Sequence, residues 1–119
     1  MTRLNRAYIA GPMTGHEDFN RPAFDRCERW LMGEGVVPTS PAHLNEVIGD
    51  LAGHERFLRL GIRMLLACDW IVLLPGWAQS KGACLELEVA DACGLEVFEW
   101  IEDEEDEPYL RPLVAVKHG

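Results

Sequence analysis

The side chain with the clearest claim to chemistry is Glu86. It falls in the stretch Asp69 to Cys93, DWIVLLPGWAQSKGACLELEVADAC, which reads as a buried strand, a break at Pro75-Gly76 and a helix that starts near Ser80. At about 100° per residue, Glu88 and Asp91 project to one side of that helix with Cys84, a solvent face. Glu86 instead shares a side with Val89, Ala90 and Cys93. A carboxylate on an otherwise apolar face is unfavourable to bury without a partner, so Glu86 is either a site residue or a structural acid bonded to backbone or to an arginine. A second feature is the loop Gly11-Pro12-Met13-Thr14-Gly15, where two glycines let backbone approach a ligand without side-chain obstruction. His16, Glu17 and Asp18 follow and admit a metal-ligand reading. Consecutive loop residues are more often solvated than convergent on an ion, and neither a metal nor a cofactor is expected.

The totals narrow the classes of function. A chain of 119 residues makes one domain, and 48% hydrophobic with 26% charged residues describes a folded globular protein rather than a disordered or membrane-spanning one. No apolar run approaches the roughly 20 residues of a membrane helix. Met1 to Arg6 leads straight into a strand without a cleavable leader, and a cytoplasmic location is expected. The net charge of −9 argues against a basic nucleic-acid surface but leaves a nucleotide open, since that needs only local donors at a helix N-terminus. Cys27, Cys68, Cys84 and Cys93 lack CxxC spacing and lie in apolar segments, as buried reduced thiols would.

The elements that must position these residues alternate between strand and helix. Ala7 to Ala10 is a short apolar strand. Asn20 and Pro22 start a helix whose core face carries Phe24, Cys27, Trp30 and Leu31, ending at Gly33 to Gly35. Val36 to Pro38 is a second strand, and Thr39-Ser40-Pro41 turns away from it. Leu44 to Leu51 suggests a helical turn. Glu55 to Cys68 is a helix with Phe57, Leu58, Ile62, Leu65 and Leu66 buried, Arg56, Arg59 and Arg63 outside or facing a site, and Gly61 unexplained in its middle. Asp69 to Leu74 is the central strand, Glu96 to Trp100 a fourth, and Leu113 to Val116 an added edge, with the acidic run Glu102 to Glu107 a solvated loop. This is a single-domain α/β protein with a flavodoxin/Rossmann-like parallel sheet, strand order 2-1-3-4, flanked by helices. The switch point then brings the Gly11 loop opposite the Pro75 to Gly82 loop.

These residues also carry a resemblance. Tyr8-Ile9-Ala10-Gly11-Pro12-Met13-Thr14-Gly15, Phe19-Asn20, Leu73-Leu74-Pro75-Gly76-Trp77 and Ser80-Lys81-Gly82-Ala83, with Glu86 four residues after the glycine, resemble the nucleoside 2-deoxyribosyltransferase superfamily over residues 7 to 100, and within it a branch of short phage and bacterial proteins. The resemblance implies N-glycosyl transfer or hydrolysis on a nucleoside or nucleoside 5′-monophosphate, with Glu86 attacking C1′ as nucleophile. It further implies substrate contacts from Tyr8, Gly11, Pro12, Met13, Asn20, Ser80 and Gly82, with Ser80 and the following amides at a phosphate or 5′-oxygen, Trp77 as a stacking surface or core residue, and a homodimer or higher oligomer. The superfamily places an aspartate where this chain has Gly61. That departure suggests either slow turnover, which Gly61→Asp would raise, or a catalytically weak nucleotide-binding protein. A third possibility is a glycine required for close packing, where aspartate would only destabilise.

Overall fold

A computed structural model describes residues 4–43 and 53–113. The turn expected at Leu44 to Leu51 and the stretch from Val114 onward lie outside them. Strand β1 (Arg6–Ala10) alternates its side chains between two packed layers. Ala7 and Ile9 join Phe24, Cys27 and Leu31 of helix α1 (Arg21–Gly33), whereas Tyr8 and Ala10 join the layer under helices α2 (Gly53–Leu65) and α3 (Lys81–Ala92). The apolar spacing of each helix therefore selects one face of one sheet.

The other strands are β2 (Val37–Thr39), β3 (Trp70–Leu73), β4 (Glu96–Ile101) and β5 (Tyr109–Pro112), in the order β2-β1-β3-β4-β5. The first four are parallel, as the alternation of strand and helix requires. An edge strand forms at Tyr109–Pro112, and it is antiparallel, pairing Tyr109 with Ile101, while the edge strand expected at Leu113 to Val116 runs into the stretch outside the described residues. An antiparallel return needs only a hairpin connection, and the exposed acidic run supplies it. α2 ends at Leu65, three residues early, because Cys68 N–H turns back onto Leu65 C=O to aim Asp69 into β3. Leu66 is consequently 52% exposed instead of buried. The thiols divide as well: Cys27 and Cys68 are buried, Cys84 is half-buried and Cys93, just past the end of α3, is exposed.

Order reversal between β1 and β3 creates the switch point. Ala10 pairs with Leu73, and the ladder continues one step as Leu74 N–H donates to Ala10 C=O at 2.8 Å. The two loops leaving these strands start side by side. Gly11 is required there by packing, since a Cβ on it would stand 2.8 Å from Leu74 Cβ. Among the described residues no helix is long and apolar enough to cross a membrane.

Candidate active site

At the carboxyl ends of β1 and β3 lies a half-open cavity of about 1010 Å³, ample for a nucleotide-sized ligand. Its floor is Glu86, 7% exposed, one turn and a half into α3. Glu88 and Asp91 point to water on the opposite side of the helix. Sequence spacing alone places the three carboxylates in this way, because a helix carries residues 86 and 90 on one stripe and 88 and 91 on another.

Glu86 has a specific partner. Tyr8, fully buried at the middle of β1, donates its hydroxyl to Glu86 Oε2. The other oxygen has no partner among the described residues and is not sealed from the cavity. Burial pushes the Glu86 carboxyl up to about 7, and the Tyr8 hydrogen bond opposes that rise only in part. Burial, then the neighbouring Glu86 charge, raises the Tyr8 phenol well above its ordinary value, so it stays a proton donor. The result is a buried acid with one oxygen fixed and one directed at the ligand space.

Gly61 closes this pair from behind. A Cβ at that position would stand 2.8 Å from the Tyr8 hydroxyl and 3.0 Å from Glu86 Oε2. Of the readings open for Gly61, the geometry matches close packing: the space beside the helix is filled by the phenol and the acid themselves. Phe57 and Leu58, four and three residues earlier on the same stripe of α2, line the cavity and are half-buried rather than core. A strip of Phe, Leu and Gly at that spacing is the signal that could have announced the wall.

The opposite rim is the start of α3. Ser80 is the N-cap, its hydroxyl accepting from Ala83 N–H at 3.2 Å, and Ser80, Lys81, Gly82 and Ala83 all face the cavity. A capped helix N-terminus with a lysine in its first turn is suited to an anionic or oxygen-rich group. Gly11, Pro12 and Met13 line the third side together with Thr14, His16, Phe19 and Pro41. Of the residues expected to contact a ligand, Tyr8, Gly11, Pro12, Met13, Ser80 and Gly82 meet at this cavity. Asn20 does not. It stands at the N-cap position of α1 in a left-handed conformation with no side-chain capping bond, and its neighbour Phe19 takes the wall. Trp77 is also absent from the lining, its indole N–H held by Glu99 at 3.0 Å and its ring packed under β3. Asp69 accepts from the Arg6 backbone N–H at 2.9 Å, far from the cavity at the other end of the sheet.

Asp25, Glu28 and His43 bring ligand atoms within 4.8 Å of one another outside the cavity. They are already paired: Arg21 Nη2 lies 3.2 Å from His43 Nδ1 and its Nε 3.6 Å from Asp25, while His43 Nε2 lies 3.0 Å from Glu28, which makes the group a polar tie between α1 and the Pro41–His43 turn.

The open, mostly parallel α/β sheet, with helices on both faces and a cavity at its switch point, is a fold of the flavodoxin/Rossmann-like class. Residues 5–99 match the family described as a domain of unknown function (DUF4406), and the chain belongs to that family. Comparison with curated proteins finds no match.

Proposed function

We propose that this domain breaks the N-glycosidic bond of a nucleoside or nucleoside 5′-monophosphate, by hydrolysis or by transfer to a second base, with Glu86 as nucleophile. The observation that carries the reading is the buried carboxylate with one oxygen bound by Tyr8 and the other free toward the ligand space. A nucleophile held at one end attacks with the other, and its neutral partner stabilises the leaving carboxylate in the second step. With C1′ above Glu86, the sugar's 5′ end reaches Ser80 and the α3 N-terminus, and the base falls against the apolar wall of Met13, Phe19 and Phe57. The likeness of the YIAGPMTG and SKGA segments to nucleoside 2-deoxyribosyltransferases supports the same assignment.

The test is incubation with a panel of ribo- and 2′-deoxynucleosides and their monophosphates, with free base detected by chromatography. Wild type should release base, and Glu86→Gln should lose roughly 10³-fold or more in turnover while retaining ligand. Base release by Glu86→Gln at the wild-type rate would remove the nucleophile assignment. The second reading, a nucleotide-binding protein without turnover, is favoured by Gly61, which holds no acid at the position the superfamily fills. Binding by both proteins with no base from either would establish it. A homodimer belongs to the proposal as well, supported by the exposed Leu66 after α2, and light scattering showing only monomer at micromolar concentration would refute it.

A further inference from the structure

Resting on that reading of the site, we infer that the turn from His16 to Phe19 is the leaving-group subsite, with Phe19 stacking on the base and the His16 imidazole protonating it. The backbone there is unusual. Asp18, Phe19 and Asn20 follow one another at φ of 52, 52 and 62°, a left-handed turn built without glycine. L-residues adopt such a run only where surrounding structure imposes it, and strain of this kind gathers at ligand sites. The turn has a definite geometric product. Phe19 N–H donates to His16 C=O at 3.1 Å, folding the segment so that His16 and Phe19 face the cavity while Glu17, Asp18 and Asn20 do not. Phe19 is 48% exposed with nothing of its own to cover it, as a stacking surface would be before ligand arrives.

Four titratable side chains line the cavity among the described residues: Tyr8, Glu86, Lys81 and His16. The Tyr8 proton is committed to Glu86, and Glu86 is the nucleophile. Lys81 is in the first turn of α3, on the rim that takes the sugar's 5′ end rather than on the wall where the base lies. Gly61 has no room for a carboxylate. Among the described lining residues this leaves His16, on the wall where the base lies, and an imidazole can donate a proton and accept one back through its ring nitrogens.

The step balances as follows. Glu86 Oε1 forms a bond to C1′ as the C1′–N pair leaves with the base, and the imidazolium proton of His16 passes to a ring nitrogen of that base, so that it departs neutral. Water then attacks C1′, neutral His16 takes its proton, and the Glu86 carboxylate is released. In transfer, an incoming base loses its proton to His16 instead.

The experiment uses the full chain and compares His16→Ala with wild type on a purine nucleoside that wild type cleaves, and on its N7-methylated counterpart, whose cationic base leaves without being protonated. His16→Ala should lose roughly 10²–10⁴-fold in turnover on the first substrate and under about 10-fold on the second, and imidazole added to the buffer should restore turnover on the first. His16 is exposed, so the melting temperature should not move. Turnover within about threefold of wild type on the first substrate, or equal loss on both substrates without rescue by imidazole, overturns the inference. A wild type silent on every nucleoside overturns the proposed activity itself, and the two failures are told apart by that control.

Discussion

The two faces of the sheet are built on opposite principles. Under α1, β1 contributes Ala7 and Ile9, and with Phe24, Leu31, Val72, Leu74 and Trp100 they form a layer of hydrocarbon and aromatic rings. Under α2 and α3 the same strand contributes Tyr8, whose hydroxyl reaches a buried carboxylate, and the helix above carries glycine at the point of contact. The α1 face is satisfied by volume and apolarity, which many sequences provide. The α2/α3 face holds an ionisable pair at a cost that packing alone does not explain, and that cost is what separates a site from a core.

The most severe way to test the contrast is to fill the space at Gly61. Gly61→Ala gains helix propensity of about 1 kcal/mol but places a methyl 2.8 Å from the Tyr8 hydroxyl, and Tyr8 on a central strand cannot retreat. Gly61→Asp adds a second carboxylate beside Glu86 Oε2, at a combined cost of roughly 3–5 kcal/mol. Thermal unfolding should rank wild type above Gly61→Ala above Gly61→Asp. A Gly61→Asp protein as stable as wild type would mean that the pair behind α2 yields, and the contrast between the faces would weaken.

Ionisation sharpens the comparison at the next scale. The Glu86 carboxyl sits at about 7 in the fold against an ordinary 4.5, so the native state binds that proton more tightly than the unfolded chain. Stability from this group is therefore greatest below pH 4.5 and declines as pH rises to 7, by up to about 3 kcal/mol. Glu86→Gln lacks the ionisation, and its stability relative to wild type should improve across that window. Denaturant melts at pH 5 and pH 8 measure the difference, and a constant offset between the two proteins would contradict it. Activity runs the other way, because the nucleophile must be ionised: turnover should fall as pH drops below about 7. Tyr8→Phe removes the hydrogen bond that holds the carboxyl down, and the acid limb of the rate profile should move to higher pH. A limb that shifts downward would mean the phenol does not favour the carboxylate.

Periodicity explains why much of this was readable in the chain and some was not. The strand order and the orientation of Glu86 depend on patterns of period 2 and 3.6, and both hold because each helix has one face to bury. The exposure of Leu66 was missed because the fate of a helix's last residues depends on where the next strand must begin. Asn20 was expected at the ligand through the resemblance alone; the left-handed turn that swings its neighbour Phe19 into the cavity has no glycine to announce it. Gly61 was recognised as anomalous, but its reason lies in Tyr8 and Glu86, dozens of residues away in sequence, and only their meeting under α2 supplies it.

The smallest expected effect lies on the α1 face and tests whether it depends on volume alone. Trp100 is 1% exposed, and its indole N–H has no hydrogen-bond partner among the described residues. An unpaired buried donor costs roughly 1–3 kcal/mol, so Trp100→Phe removes a penalty while it also removes ring volume. The two nearly offset, and the variant should lose less than about 1.5 kcal/mol, against the roughly 3–5 kcal/mol of a tryptophan truncated to alanine. On the α2/α3 face the analogous deletion, Tyr8→Phe, strips a donor from a buried acid and has no such compensation. Equilibrium unfolding of both variants at pH 8, where Glu86 is ionised, should therefore show the larger loss for the smaller change in atoms. A Trp100→Phe loss exceeding that of Tyr8→Phe would show that ring volume outweighs polar pairing here, and that the two faces are packed by one rule.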